Sequence, residues 1–278
     1  MLNTILARLP SAAISILALP LIARAYFRSS TGRAYGVTLI DKLILLTKMV
    51  RNNMCVLSAS NFISHILMAA RVMNVPPSIP GVIVECGCYK GGSTVNLSLV
   101  AAACRRTLHV FDSFAGLPPP VSDDEGHLVI GEQVVHTYQA GAYAGTRAEV
   151  EANLRRYGAP GVCELHEGFF DSTLPSFAEP VIFAYLDVDL VDSEKTCLKH
   201  LWPLLIEGGY VYTDEAHHFE IASLFYDREW WRRELGLDAP GLVGGGNGIG
   251  LFLQEGGFGS SLGFTVKLTR SGLERRAG

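Results

Sequence analysis

The sequence has few charged residues and no run of basic ones. Of its 278 residues, 18% are charged and 49% hydrophobic, and the formal net charge is −4. A nucleic-acid-binding surface needs clustered lysine and arginine to displace counterions from phosphates, so we predict no nucleic-acid partner. The hydrophobic fraction instead indicates a globular chain that buries a large core.

A zinc-type cysteine pattern is also missing. Of the six cysteines only Cys86 and Cys88 are close in sequence, and a C-x-C pair does not have the spacing of a zinc site. Reduced, mostly buried thiols in a cytoplasmic protein are the interpretation that we favour.

No hydrophobic run in the N-terminal region is long enough to cross a bilayer. The stretch "SAAISILALPLIA" (11–23) is short and contains Pro20. The tripeptide "ARA" (23–25) resembles a signal-peptide cleavage site, but the rest of the chain favours cytosolic cofactor chemistry. We predict a docking or membrane-surface helix within residues 1–30, and homo-oligomerisation is left open.

The pattern of hydrophobic residues predicts an N-terminal helical segment (1–75) followed by an α/β domain (76–278). Residues 38–73 have helical spacing for two helices, and the proline-rich "NVPPSIPG" (74–81) ends them. Short β-rich runs then alternate with helical patterns, which predicts a mostly parallel sheet. We expect seven strands, the last two as an antiparallel hairpin: 82–86, 107–111, 162–165, 181–186, 209–213, 248–254 and 264–268.

The connection after the second strand is unusually long. Residues 113–147 form a lid-like insertion that we expect to be irregular until a helix capped by Thr146 and Glu149 and ended by Gly158. Long connections of this kind are often functional.

The glycine turn after the first strand lacks the residues of two familiar nucleotide sites. Ser93 stands where a phosphate-binding P-loop needs lysine, and Tyr89 replaces the middle glycine of a dinucleotide-binding motif. Glu85, at the end of the strand, would repel a pyrophosphate. None of the ten tyrosines is followed four residues later by lysine, so the Tyr/Lys pair of short-chain reductases is missing as well.

A cationic ligand reverses this electrostatic argument. S-adenosylmethionine carries a sulfonium and an ammonium group, and Glu85 would attract both. Asp112, at the end of the second strand, has the position from which acidic residues bind ribose hydroxyls in nucleotide folds. Helix capping or turn formation is the alternative role for both acids.

Acidic residues also follow the fourth and fifth predicted strands, in "YLDVDL" and "YVYTDEAHH". Asp187, Asp214 and Glu215 would meet at the carboxyl edge of the sheet, whereas we expect Asp189 to point to the opposite face. Oxygen ligands that repel one another favour a hard cation such as Mg²⁺.

Several motifs in order resemble the macrocin O-methyltransferase (TylF/MycF-like) family of class I S-adenosylmethionine-dependent enzymes. The motifs are "VECGCYKGGS", "HVFDSFAGLP", "EVEANLRRYG", "GFFDSTLP", "LDVDL" and "HLWPLLIEGGYVYTDE". The resemblance implies a Rossmann-like fold and magnesium-assisted methyl transfer to a hydroxyl of a sugar or glycosylated natural product. It implies a metal site at Asp187, Asp214 and Glu215, with Asp187 also catalytic, and a cofactor site at Glu85, Gly87, Tyr89, Gly91, Ser93, Asp112, Ser113, Gly168, Phe169 and Asp171.

The family more often has aspartate at the position of Glu215 and tryptophan at that of Tyr89. The resemblance implies a histidine base in the long insertion, for which we select His136, with His217 and His218 as rivals. A metal-independent methyltransferase and a non-catalytic cofactor-binding adaptor at a membrane remain alternatives.

Overall fold

A computed structural model describes residues 23–58, 60, 62–121, 127–130, 133–216, 218–243 and 262–268 of the chain, with the backbone alone for 127–130 and 133–136. Four predictions fall outside these residues. They concern the apolar stretch up to residue 22, the strand at 248–254, His217 and the side chain of His136.

A six-stranded sheet forms the centre of the described fold. Its strands are β1 (Val82–Cys86), β2 (Leu108–Asp112), β5 (Cys163–Glu167), β6 (Val181–Leu186), β7 (Leu205–Thr213) and β8 (Gly263–Val266). They lie in the order β5-β2-β1-β6-β7-β8, and all neighbours are parallel except the antiparallel pair of β7 and β8. The predicted mostly parallel sheet is confirmed, and its last strand is antiparallel, whereas the predicted hairpin partner at 248–254 lies outside the described residues.

Two strands start earlier than predicted, β8 by one residue and β7 by four. β7 begins at Leu205 rather than at residue 209, because Leu205 pairs with Val181 ahead of a register shift. Gly208, within the shifted stretch, has a φ of 78°. This irregularity interrupts the alternation of side chains along β7, so the sequence pattern alone placed the first residue of the strand too late.

Eight helices with described bounds surround the sheet. They are α1 (Leu39–Cys55), α2 (Phe62–Met73), α3 (Gly92–Ala103), α4 (Arg147–Tyr157), α5 (Phe170–Thr173), α6 (Val191–Leu204), α7 (Phe219–Leu224) and α8 (Arg228–Leu235). Thr38 and Asp41 form a capping box at the start of α1, and Thr146 caps α4 as predicted. Within the described part of the chain, no helix is both long and apolar enough to cross a membrane.

The long insertion contains a β-hairpin, so the expectation of an irregular course before α4 is wrong. β3 (His127–Ile130) pairs antiparallel with β4 (Gln133–Thr137). The register shifts after Leu128, so the strands lack the regular alternation from which a hairpin could have been predicted. The two ends of the insertion meet, since the amide of Leu117 donates to the carbonyl of Ala142 and the amide of Gly141 donates to that of Leu117, each at 2.9 Å.

The N-terminal helices share one hydrophobic core with the sheet. Met49 of α1 and Met68 of α2 are fully buried in the cluster that also contains Ile83 and Val110 of the sheet. A second cluster, on the other face of the sheet, packs Phe111 and Leu186 under α6 and α8. The boundary at residue 75 stays a prediction.

Buried polar contacts fix how α1, α2 and α3 pack. The ring of His65 lies 2.7 Å from Asn96 Nδ2 and 2.9 Å from Ser60 Oγ, and Asn52 Nδ2 donates to Asn96 Oδ1 at 2.9 Å. Burial lowers the pKa of His65 to about 4, so its imidazole is neutral at pH 7. Because each member has a partner, the network specifies one packing arrangement.

Arg106 holds the connection between the helices and the sheet. Its guanidinium donates to the carbonyls of Gly81, Pro76 and Ile79 at 2.7–3.0 Å and to the hydroxyl of Tyr35 at 2.8 Å. Only 8% of Arg106 is exposed. The proline-rich stretch that the sequence predicts as a break is therefore pinned by one side chain from the turn before β2.

We expect Arg106→Met to lower the free energy of unfolding by about 3 kcal/mol, because the substitution leaves buried carbonyls without their charged donor. Urea unfolding of the variant and the wild type measures the change. The neighbouring, exposed Arg105 gives the matched control, and Arg105→Met should change stability by no more than about 0.5 kcal/mol. Equal losses in both variants would contradict this role.

Candidate active site

A cleft opens at the carboxyl ends of β1, β2 and β6. The space between its walls is about 570 Å³, a volume that includes open solvent at its mouth. Six of the predicted site residues line it, namely Gly87, Tyr89, Asp112, Ser113, Phe169 and Asp187. The carboxyl edge of an open α/β sheet is where such folds bind ligands.

The glycine turn is locked against the end of β6. Gly87 has a φ of 81°, and a Cβ atom there would lie 1.9 Å from the carbonyl oxygen of Asp187. Only glycine fits this close approach. The contact places the turn after β1 directly beside the first acidic residue after β6.

Glu85 is completely buried at the end of β1, and neither carboxylate oxygen has a hydrogen-bond partner in the described part of the chain. Burial raises its pKa to about 7, although the nearby hydroxyls of Ser93 and Thr94 lower it in part. A buried carboxyl group without a partner is costly, so a cationic ligand or a proton is needed to compensate it.

Asp112 uses its carboxylate to shape the turn. Its Oδ2 accepts from the amide of Cys88 at 2.6 Å, and its Oδ1 accepts from the amide of Phe114 at 2.7 Å. Each oxygen keeps a further lone pair, and the residue lines the cleft. The turn role and the predicted ribose-binding role are therefore compatible.

The remaining predicted cofactor residues lie behind or beside the cleft. Gly91 precedes α3 and approaches Val150, while Ser93 is buried near Glu85. Gly168 donates its amide to the carbonyl of Asp112 at 3.0 Å, and Asp171 is exposed in α5. None of these four residues is among those that line the cleft, so their direct contact with the cofactor stays a prediction.

Asp187, Asp214 and Glu215 converge as predicted. One carboxylate oxygen from each lies within 4.8 Å of the other two. Asp187 also accepts from the hydroxyl of Tyr185 at 3.1 Å. Burial, reinforced by the neighbouring acids, raises the pKa of both Asp187 and Glu215 well above the ordinary range.

The expectation that Asp189 points away from these acids is wrong. Asp189 lines the cleft, and burial together with Asp214 raises its pKa to about 7. Its φ of 62° turns the chain immediately after β6, so the alternation of a strand no longer applies at this position. The cluster therefore has a fourth carboxyl group close by.

The insertion contributes two tyrosines that the sequence reasoning missed. Tyr143 lines the cleft, and burial, followed by Asp189, Glu215 and Asp187, raises its pKa to about 12. The same causes raise the pKa of Tyr138, which is 6% exposed. A lone aromatic residue between the glycines of "QAGAYAG" is the signal that could have identified Tyr143.

Of the candidate histidine bases, His218 is the one whose side chain the structure describes. It is buried, its ring centroid lies 6.1 Å from that of Tyr138, and its Nδ1 lies 3.4 Å from Glu220 Oε2. Its amide donates to the carbonyl of Glu215 at 2.9 Å. The backbone of His136 lies in β4 opposite Leu128.

The donor atoms at this edge fit a hard cation beside an organic one. The cluster offers only oxygen, which suits Mg²⁺ better than softer metals. The glycine turn lines the cleft, and Glu85 is buried at the end of β1, two residues before Gly87, without lining the cleft itself. The arrangement can therefore hold a positively charged ligand next to a divalent ion.

Two characterised relatives align with about half of the chain. One is the 8-demethyl-8-(2,3-dimethoxy-alpha-L-rhamnosyl)-tetracenomycin-C 4'-O-methyltransferase of Streptomyces olivaceus, 34% identical over 142 residues, which are 49% of this chain and 53% of that protein. The other is the demethyldecarbamoylnovobiocin O-methyltransferase of Streptomyces niveus, 30% identical over 143 residues, 50% of this chain and 53% of that protein. The chain thus spans about half the length of the curated relatives it matches.

The solved structure of the O-methyltransferase NovP superposes with a TM-score of 0.58 at 21% identity. The match covers 75% of this chain and 81% of that one, which confirms the predicted class I methyltransferase fold.

The profile of the macrocin-O-methyltransferase (TylF) family matches residues 64–241. The match extends over more than half of the chain and includes the glycine turn, the cleft and the acidic cluster. This protein belongs to the macrocin O-methyltransferase family.

Proposed function

We propose that this protein transfers the methyl group of S-adenosylmethionine to a hydroxyl of a sugar or glycosylated natural product, with assistance from Mg²⁺. The observation that carries the proposal is the buried cluster of Asp187, Asp214 and Glu215 beside the cleft. Family membership and the two relatives support the reaction and the substrate class, because both relatives are named as O-methyltransferases and one is named for a rhamnosyl compound.

Glu85 and Asp112 give the cofactor side of the cleft its negative charge. Glu85 is buried and its carboxylate oxygens accept no hydrogen bond from the described residues, so a nearby sulfonium or ammonium group would compensate its charge. Asp112 also holds the turn after β1 through the amide of Cys88. Binding and orientation of the methyl donor are thus tasks of the first two strand ends.

The acidic cluster would hold the metal through Asp187, Asp214 and Glu215. Bound Mg²⁺ would supply Lewis acidity to an acceptor hydroxyl and fix its orientation. The hydroxyl of Tyr185 donates a hydrogen bond to Asp187 and restrains its carboxylate. The acceptor oxygen must approach the methyl carbon from the side opposite the sulfur. Because the acidic cluster lies beside the cleft, a metal bound there would help to position the acceptor oxygen for this approach.

A general base must take the proton of the acceptor hydroxyl. We assign this role to an imidazole nitrogen of His136, in the hairpin of the insertion, with His217 and His218 as rivals. Support for the insertion as the acceptor-side wall comes from Tyr143, which lines the cleft next to the acids. The lid-like movement of residues 113–147 belongs to the same proposal.

Cytoplasmic location, peripheral membrane contact through residues 1–30 and homo-oligomerisation stay hypotheses supported by the sequence alone. Fractionation of the full chain and of a chain lacking residues 1–30 tests the membrane contact.

We expect Asp214→Asn to reduce methyl transfer about 100-fold or more, because a lost metal ligand removes several kcal/mol of transition-state stabilisation. Transfer of labelled methyl groups to a panel of glycosides measures the rate, and calorimetry measures Mg²⁺ binding. Asp192→Asn is the matched control, since Asp192 is half-exposed and pairs with Lys195 at 3.0 Å. Full activity of the wild type in excess chelator would refute the metal's role.

Glu85→Gln should weaken S-adenosylmethionine binding at least about 10-fold while stabilising the free protein at high pH. With a pKa raised from 4.5 to about 7, folded Glu85 holds a proton that the unfolded chain has lost. Its contribution to stability therefore falls as pH rises through this window. The stability of the variant relative to the wild type should increase by about 3 kcal/mol between pH 4.5 and 8.

Urea unfolding at several pH values and calorimetry with the cofactor measure the two effects of Glu85→Gln. Glu207 is exposed on β7, so Glu207→Gln should show neither effect. A variant that binds the cofactor like the wild type would remove Glu85 from the site.

His136→Ala should retain cofactor and Mg²⁺ binding but lose about 10²–10⁴-fold in turnover, the usual contribution of a general base. His127 lies on the other strand of the same hairpin and serves as the control through His127→Ala. An active His136→Ala enzyme would transfer the role to His217 or His218, and single substitutions of these two would then identify the base.

A further inference from the structure

A second group of metal-binding side chains lies away from the cleft, on neighbouring strands. His109 of β2 is paired in register with Glu164 of β5, and Phe111 is paired with His166. Alternation along both strands brings His109, Glu164 and His166 to one face of the sheet. His109 precedes the cleft residue Asp112 by three positions, which corresponds to about 10 Å along the strand.

The potential ligand atoms are already close enough to share one ion. Nδ1 of His109 lies 3.0 Å from Nε2 of His166 and 3.8 Å from Oε2 of Glu164. One ligand atom from each residue lies within 4.8 Å of the others. Neighbouring ligands of a tetrahedral zinc ion, with bonds of about 2.0–2.1 Å, are separated by about 3.3 Å. Small side-chain movements would therefore complete the geometry.

The surroundings orient both imidazoles. Nε2 of His109 lies 3.1 Å from Oε1 of Glu179 without hydrogen-bond geometry, and a small rotation would let it donate to this carboxylate and leave Nδ1 as the ligand. A carboxylate on the second nitrogen is the usual companion of a metal-binding histidine. The ring of His166 stacks on Phe111 with centroids 4.2 Å apart and an interplanar angle of 9°.

The exposure also suits a metal. Glu164 and Glu179 have 62% and 54% of their side chains exposed, so an ion has a path from solvent. A bound metal ion would take the place of the hydrogen bond between the imidazoles of His109 and His166.

We propose that His109, His166 and Glu164 bind a divalent transition metal of the zinc type, at a site separate from the acidic cluster. Two imidazoles and one carboxylate favour Zn²⁺ and its neighbours over Mg²⁺. The ion would tie the edge strand β5 to β2. It would thereby stabilise the strand from which Gly168 and Phe169 continue to the cleft.

Titration of chelator-treated full-length protein with Zn²⁺ tests the site by calorimetry. The wild type and Asp214→Asn should each bind one equivalent at this site, whereas His166→Ala and Glu164→Gln should bind it at least about 100-fold more weakly. Zinc at 100 times its Kd should raise the Tm of the wild type by about 5–10 °C and leave that of His166→Ala unchanged.

His200, a partly buried histidine of α6, provides the control, and His200→Ala should bind zinc like the wild type. X-ray absorption at the zinc edge should show two nitrogen ligands in Asp214→Asn. Three outcomes would overturn the proposal: no zinc uptake at about 100 µM, wild-type uptake by His166→Ala, or loss of all uptake in Asp214→Asn.

Discussion

Buried negative charge at the carboxyl edge of the sheet is the constraint on which the site depends. Glu85, Asp187, Asp189 and Glu215 all have raised pKa values, and burial is the largest cause in each case. Burying ionised carboxylates close together is unfavourable, so the folded chain holds them at a cost that protons or cations relieve. In the proposed reaction both the methyl donor and Mg²⁺ are cations, and their binding offsets the same cost.

The backbone makes this charge distribution rigid before any ligand arrives. The amide of Asp187 donates to the carbonyl of Cys86 at 2.9 Å and so holds the ends of β1 and β6 together, and Gly87 allows their close approach. Asp112 joins the turn to the end of β2 through the amide of Cys88. Fixed dipoles and charges that need no rearrangement are what electrostatic catalysis requires. The cost of burying the carboxylates at this edge is thus compensated by the packing of the sheet beneath them.

Features that follow from a periodic sequence pattern were predicted correctly, whereas features that depend on a single backbone dihedral angle or on tertiary contacts were missed. The parallel strands and the meeting of Asp187, Asp214 and Glu215 follow from periodicity, because parallel strands end at one edge. Asp189 was misplaced because its positive φ breaks the alternation. Tyr143 escaped notice because only tertiary contacts between Leu117 and Ala142 bring its loop over the acids. The pairing of His109 with Glu164 depends on strand order, which no local pattern contains.

Donor and acceptor recognition are carried by different parts of the fold in the proposed function. The donor and metal sites belong to strand ends, whereas the proposed acceptor side is built on the insertion between β2 and α4, and the family match includes both. The insertion contacts the glycine turn closely, since a Cβ atom at Gly145 would lie 2.0 Å from the carbonyl of Tyr89. Its ends are therefore anchored to the donor site. In the proposed function this contact holds the acceptor-side wall in a defined position relative to the methyl donor.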